Sequence, residues 1–404
     1  MLKKIATLAL AVFSLLGMDL YSAQTSGSTD QPSTTKITRK ASAHRRTRTK
    51  RRARAQAKTT QVASAQTTRL RRRRARRRFW NPWRITSFAD PGADDNPAGD
   101  DPLIRQAAID ALGRWNGSMV VVDPNNGRIL SMVNQRLAMT SGFTPCSTFK
   151  PVVALAALKE GIITPGTKLY VGGRLRLGVT DALAHSNNTF FHKLGEMLGF
   201  QRLAFYAHQF GLGEKAGYDI PGESPGHFPS EPPKEGGVGY LAYYGQDMQV
   251  TTLQAAAIIS AIANGGTLYQ LQYPRTPQEV AEFKPIVRRR LTGLEPYLPE
   301  VREGLAAAVL YGTARLAYDP QMQIYGKTGT CSEDGARLGW FVSYGMDQRT
   351  QYVVVVLLRG GRMMFGPHAA EIAGKFYHDL LQKEGGTTQA SQAVASPTSS
   401  ARMP

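Results

Sequence analysis

The sequence predicts an α+β domain over residues 102–383, in which strands from both ends of the segment pair into one sheet and helices fill the stretch between. Three observations carry this. Two strand-like runs, residues 117–123 and 128–133, flank Pro124-Asn-Asn-Gly127, which is strong hairpin chemistry. Three more runs, residues 324–331, 338–344 and 351–359, stand at the far end, and the last is apolar from Tyr352 to Leu358, as suits a strand covered on both faces. Between the two groups the apolar residues return at helical spacing, with no internal repeat.

The elements follow in order. Lys3 and Lys4 precede an apolar run of 13 residues, 5–17, which reads as an export signal and is too short to span a membrane comfortably. Cleavage after Ala23 is expected, with retention as an anchor the alternative, because Tyr21 stands where a small residue is preferred. No cysteine follows the apolar run, which argues against a lipoprotein anchor, and no other stretch is long and apolar enough to span. The expected location is the periplasm or the outer face of the cytoplasmic membrane.

Residues 24–101 are expected to be disordered, being rich in Ser, Thr, Ala, Gln and Arg and then in Pro, Gly and Asp. The net charge of +20 is concentrated there: 19 Lys and Arg and no Asp or Glu lie between Lys36 and Arg78. The rest of the chain is near neutral, so the overall charge says nothing about the folded part. Arginines running into Phe79, Trp80 and Trp83 fit an anionic membrane or cell-envelope polymer as a partner of residues 36–84. A solvated linker is the alternative, and an exported chain would seldom meet nucleic acid.

From residue 102 a helix over 104–112 leads into the hairpin. Pro145 then breaks the chain and a helix follows, apolar from Val152 to Lys159. A short strand at 169–171, a helix from about Asp181, and a helix over 201–210 precede a Gly- and Pro-rich loop at 211–239. Residues 255–263 read as a buried helix stopped by Asn264-Gly-Gly266, residues 302–311 as another, and residues 369–382 as the closing helix before a disordered tail at 384–404.

Three stretches carry chemistry. In Thr144-Pro-Cys-Ser-Thr-Phe-Lys-Pro151, Ser147 and Lys150 are three apart and share a helix face. A serine hydroxyl is a poor nucleophile until a neighbouring amine of lowered pKa takes its proton, and a helix N-terminus favours a developing oxyanion. The others are Ser186-Asn187-Asn188 and Lys327-Thr328-Gly329-Thr330. Serine-x-x-lysine, serine-x-asparagine and lysine-threonine-glycine in this order resemble the signature of penicillin-recognising serine enzymes. Residues 121–130, 211–215, 221–226, 245–246, 250–254 and 261–266 extend the resemblance, so that residues 102 to about 382 are similar to the transpeptidase domain of penicillin-binding proteins.

The resemblance implies an antiparallel five-stranded sheet with helices on both faces, joined to an all-helical part, with the site between. It implies that Ser147 attacks a D-alanyl-D-alanine carbonyl of a peptidoglycan stem peptide, or a β-lactam, and that Lys150 takes its proton. Ser186 relays that proton to the departing amine, and Asn188 holds Lys150 and the substrate amide. Lys327, with the Thr328 and Thr330 hydroxyls, receives the substrate carboxylate, and Gly329 lets the substrate backbone approach. The backbone N–H groups of Ser147 and Thr330 form the oxyanion hole. No metal and no cofactor is expected: the seven histidines show no ligand spacing, and His185 reads as structural. The stretch around Gln246 reads as loop support.

Two departures stand out. Cys146 takes the place of the usual glycine before the nucleophile and Cys331 that of the usual alanine after the third motif. A cysteine pair in these places resembles that of certain carbapenem-hydrolysing serine β-lactamases, and a Cys146–Cys331 disulfide is the expectation, against two buried free thiols. The second departure is the short stretch before the domain, which has no room for the extra module of larger relatives. The leading reading is a D,D-transpeptidase or D,D-carboxypeptidase. A serine β-lactamase is the alternative, although neither Glu196 nor Glu223 lies in a recognisable deacylating motif. A non-catalytic β-lactam sensor or cell-wall scaffold is the third.

Overall fold

A computed structural model describes residues 83–346 and 351–394, with side chains to residue 383. The expected signal, most of the arginine-rich segment and residues 395–404 lie outside the described residues. Helix α1 (Pro102–Leu112) is capped by Asp101, whose carboxylate accepts from the Leu103 and Ile104 N–H groups. Strands β1 (Gly117–Val122) and β2 (Ile129–Val133) form the expected hairpin, and α2 (Gln135–Met139) follows. A 3₁₀ turn, Cys146–Phe149, opens directly into α3 (Lys150–Lys159). Next come a small hairpin of β3 (Leu169–Gly172) and β4 (Leu175–Leu177), then α4 (Val179–Ala184), α5 (Asn188–Leu198), α6 (Phe200–Gln209), α7 (Gly237–Tyr244) and α8 (Thr252–Ala263). A second minor hairpin, β5 (Thr267–Gln270) and β6 (Ile286–Arg290), encloses α9 (Pro277–Ala281), and α10 (Leu298–Leu310) returns the chain to the main sheet. Strands β7 (Gln323–Glu333), β8 (Ala336–Met346) and β9 (Gln351–Gly360) and helix α11 (Gly366–Val394) complete it.

The main sheet has five strands in the order β2-β1-β9-β8-β7, every neighbouring pair antiparallel. The first and last strands of the domain therefore meet in the middle, β1 against β9, as the sequence requires. Alternation along them divides two cores. Met119, Val121, Val354, Val356 and Phe341 pack under α1 and α11. Val120, Val122, Val353, Val355 and Trp340 pack toward the helices inserted between the strands. With both faces covered, β1 can be apolar from Met119 to Val122 and β9 from Tyr352 to Leu358. In α3, too, every residue from Lys150 to Leu158 is buried, the signature of a helix at the centre of a domain.

The described residues correct the sequence reading in three places. Residues 83–101 are packed, not disordered. The Arg84 N–H bonds the Gly335 carbonyl at 2.7 Å, and Phe88 stacks on Trp115. Buried Asp95 and Asp100 pair with Arg105 at 3.1 and 2.7 Å. Asp95 also accepts the Asn134 and Gln135 N–H groups, and Asp100 accepts the Tyr273 hydroxyl. The aspartates that make this stretch look solvated are spent on partners far along the chain. Second, the helix expected from Asp181 is two helices, and Ser186 lies in the break. Third, α11 continues to Val394, past residue 384 where a tail is expected from the sequence, and it does so through Gly385, Gly386, Thr387 and Thr388, against their helix propensity.

Candidate active site

The turn that carries Ser147 is held by what surrounds it. Cys146 has φ of 53°, a left-handed backbone that costs an L-residue about 1–2 kcal/mol. Its sulfur is bonded to that of Cys331 on β7, with Cα atoms 5.7 Å apart. Two further ties fix Thr144: its N–H donates to the Glu333 carboxylate at 3.1 Å, and its carbonyl accepts from Trp340 Nε1 at 3.0 Å. Ser147 comes next, half-buried, and its carbonyl accepts the Lys150 N–H. Pro151 sits in the first turn of α3, where a missing N–H costs nothing.

Lys150 is wholly buried. Its Nζ meets the Ser186 carbonyl at 2.7 Å, Ser186 Oγ at 3.1 Å and Asn188 Oδ1 at 2.7 Å. The rings of Phe191 and Tyr243 lie 5.3 and 5.9 Å away. Burial, and after it the positive charge of Lys327, push the Lys150 ammonium well below its ordinary range.

Ser186 owes its position to a helix stop. Its N–H bonds the Leu183 carbonyl and that of Asn187 bonds Ala182, the paired bonds of a Schellman motif. The left-handed residue of that motif is usually glycine; here it is Ser186, with φ of 53°. Asn187 then starts α5 by accepting the Phe190 N–H at 2.8 Å, which leaves Asn188 in the first turn facing Lys150. A sequence containing no glycine or proline at this point gives no local sign of the break.

Among the described residues strand β7 is an edge strand, so one side of its backbone has no partner in the sheet. Lys327 on it is wholly buried, with Nζ 2.9 Å from the Thr328 carbonyl. Burial lowers its pKa to about 7. Gly329 lies against the Ser147 turn: a Cβ there would sit 3.0 Å from the Pro145 carbonyl oxygen and from Thr148 Cγ2. A side chain there would press on the turn, which would have to give by a few tenths of an ångström. Thr328 Oγ1 is 2.6 Å from Thr313 Oγ1, and Thr330 Oγ1 accepts the Gly366 N–H at 2.7 Å. Each hydroxyl keeps bonding capacity for a ligand.

The structure thus gathers Ser147, Lys150, Ser186, Asn188 and the Lys327–Thr330 run, from a turn, a helix start, a helix break and an edge strand. Sequence reasoning missed Thr313, Tyr243 and Gly366. Gly312 was the available signal for Thr313: a Cβ there would collide with the Ala184 carbonyl, so the chain after α10 docks on the end of α4, beside Ser186. The other residues weighed from the sequence lie elsewhere. Glu223 is spent on the Ala216 and Gly217 N–H groups, and Glu196 pairs with His192 on the outside of α5. His185 is exposed and tilts against Tyr311. Gln246 bonds its neighbour Asp247. Among the described residues no cluster could hold a metal ion.

Comparison with known proteins agrees with the fold. A structure of the transpeptidase domain of penicillin-binding protein 3 from Burkholderia pseudomallei matches with a TM-score of 0.61 at 22% identity, covering 78% of this chain and 100% of that one. The D,D-transpeptidase domain of a peptidoglycan glycosyltransferase from Eggerthella lenta matches with a TM-score of 0.58 at 23% identity, covering 70% and 82%. At these identities the likeness shows the fold. Stage V sporulation protein D of Bacillus subtilis is 30% identical over 66% of this chain and 49% of its own length. Penicillin-binding protein PbpB of Mycolicibacterium smegmatis is 28% identical over 68% and 51%. The chain spans about half the length of these curated relatives. The family model described as the penicillin binding protein transpeptidase domain matches residues 117–378, and the chain belongs to that family.

Proposed function

We propose that the chain is an exported serine acyl-enzyme that acts as a D,D-transpeptidase on the D-alanyl-D-alanine stem peptides of peptidoglycan and is acylated by β-lactams. One observation carries this reading: a buried lysine three residues from Ser147, pushed toward its neutral form and bonded to both Ser186 Oγ and Asn188 Oδ1. An ammonium has three hydrogens, and all three are taken by Ser186 and Asn188. Once neutral, Lys150 has two hydrogens and a free lone pair, which can accept the Ser147 proton.

The chemistry then runs in order. The substrate extends along the free edge of β7 by backbone pairing, its terminal carboxylate toward Lys327, Thr328 and Thr330. Ser147 Oγ gives its proton to Lys150 and bonds the penultimate D-alanine carbonyl carbon. The Ser147 and Thr330 N–H groups hold the oxyanion. The C–N bond breaks as the amine of the terminal D-alanine takes a proton from Lys150 through Ser186 Oγ. An amine of a second stem peptide then attacks the acyl-enzyme, returning its proton by the same route; water in its place would make a carboxypeptidase. The basic segment before the domain supplies affinity for an anionic membrane or envelope polymer.

The disulfide beside Ser147 favours a second reading, hydrolysis of β-lactams. Against it, Glu196 and Glu223 are engaged elsewhere. The test is turnover of a stem pentapeptide ending in D-alanyl-D-alanine with a second stem peptide as acceptor, read by mass spectrometry. Cross-linked dimer with released D-alanine is the expected result. Tetrapeptide alone would make it a carboxypeptidase. No turnover of the peptide with rapid loss of a β-lactam would replace this reading with the second.

A further inference from the structure

The disulfide stands at an informative place. Cys146 precedes Ser147, and Cys331 follows Thr330. Each half-cystine is thus bonded through the backbone to one of the two N–H donors that the proposed function assigns to the oxyanion hole, and a role for the disulfide there rests on that reading. Cys146 is also held left-handed, with φ of 53°, a conformation that glycine adopts freely and a side chain resists. The same left-handed residue opens the 3₁₀ turn that carries Ser147. Both half-cystines are buried, and Gly329 brings β7 into contact with the turn.

We propose that the Cys146–Cys331 disulfide is a positioning element that holds residue 146 in its left-handed conformation and sets the distance between the Ser147 and Thr330 N–H groups, so that acylation is fast only in the oxidised protein. A dithiol reductant supplies two electrons and two protons, turning the S–S bond into two thiols and itself becoming a disulfide. Without the tether, the side chain at 146 favours release of the left-handed backbone, and the Ser147 N–H turns with it. The hydrogen bonds of Thr144 to Glu333 and Trp340 remain, so the domain stays folded. The consequence is an enzyme whose activity is tied to an oxidising compartment.

The test compares acylation by a fluorescent penicillin in the full chain, oxidised and after reduction by dithiothreitol, with reduction verified by thiol alkylation and intact mass. Oxidised wild type must acylate Ser147; if it does not, the proposed function fails before this one is tested. Reduction is expected to slow acylation about 10- to 100-fold, the cost of displacing a reacting group by an ångström or less, with native circular dichroism retained. Two thiol-free double variants separate the tether from the backbone. C146G/C331A is expected to acylate within a few-fold of oxidised wild type and to ignore dithiothreitol, because glycine is left-handed without help. C146A/C331A is expected to behave like the reduced wild type. A boronic acid that forms a tetrahedral adduct with serine should lose affinity in parallel with the acylation rate. Equal acylation rates and boronate affinities for oxidised wild type, reduced wild type and folded C146A/C331A would overturn the proposal.

Discussion

Lys150 and Lys327 are both wholly buried, and their fields are unequal in effect. The charge of Lys327 lowers Lys150, whereas burial alone lowers Lys327, to about 7. A charged Lys327 thus favours the neutral form of Lys150, the base of the proposed mechanism, while Lys327 itself titrates at about 7. The rate of acylation should rise as Lys150 deprotonates and fall above about pH 7, and Lys327→Arg should remove the falling limb. A rate flat across pH 6–9 in wild type would contradict a role for the Lys327 charge in acylation. The sign for stability is separate. Both lysines bind protons less readily folded than unfolded, so the unfolded chain binds more protons and stability rises from about pH 7 toward 10. Above about pH 10 the buried hydroxyls of Tyr344 and Tyr377, held protonated by burial, reverse the slope. Thermal melts at pH 7, 9 and 11 check this, and Lys327→Met should flatten the rising part. At Ser186 stability and activity oppose each other. Ser186→Gly should leave the melting temperature unchanged or raise it, since glycine takes the left-handed backbone freely. It should also slow acylation about 100-fold or more by removing the proton relay. A variant that loses both stability and activity would mean that the hydroxyl holds the break together.

The elements that position these residues were unequally legible. The β1–β2 hairpin, the strands β7 to β9 and the buried helix α8 announce themselves through turn residues, apolar runs and the Asn264-Gly-Gly266 stop. The break between α4 and α5 does not, because the break-forming residue is a serine doing glycine's work and only tertiary bonds to Lys150 repay it. Thr313 was hidden for a related reason: its partner, Thr328, is an element away in the chain. The closeness of β7 to the nucleophile turn is an element-scale property that rests on Gly329. Gly329→Ala should force the turn and strand apart by a few tenths of an ångström, cost about 1–3 kcal/mol of stability and slow acylation. Normal acylation by a folded Gly329→Ala protein would mean the turn tolerates a wider gap than the geometry allows.

At the scale of the molecule, the domain begins earlier than its composition implies. Asp95, Asp100 and Arg105 form a buried ionic cluster that ties the segment before α1 to β2, α2 and Tyr273. By composition these aspartates look like part of a solvated linker, because each partner is non-local and none is visible by spacing. Arg105→Met would strand two buried carboxylates and is expected to cost about 3–5 kcal/mol. Urea denaturation should read this as a lower midpoint at unchanged slope. A loss under about 1 kcal/mol would mean that the segment lies on the domain without supporting it. By contrast, the three motifs and their order were fully legible, because chemistry restricts residue type more tightly than packing does.

The central claim is that Ser147 becomes covalently acylated with Lys150 as its base. The most direct measurement is intact mass of the full chain over time with a fluorescent penicillin, alongside Ser147→Ala, with the modified peptide mapped. The account predicts one long-lived adduct per chain, located on Ser147 and absent from the variant. An adduct on another residue, an adduct of equal yield on Ser147→Ala, or none on folded wild-type protein would contradict it.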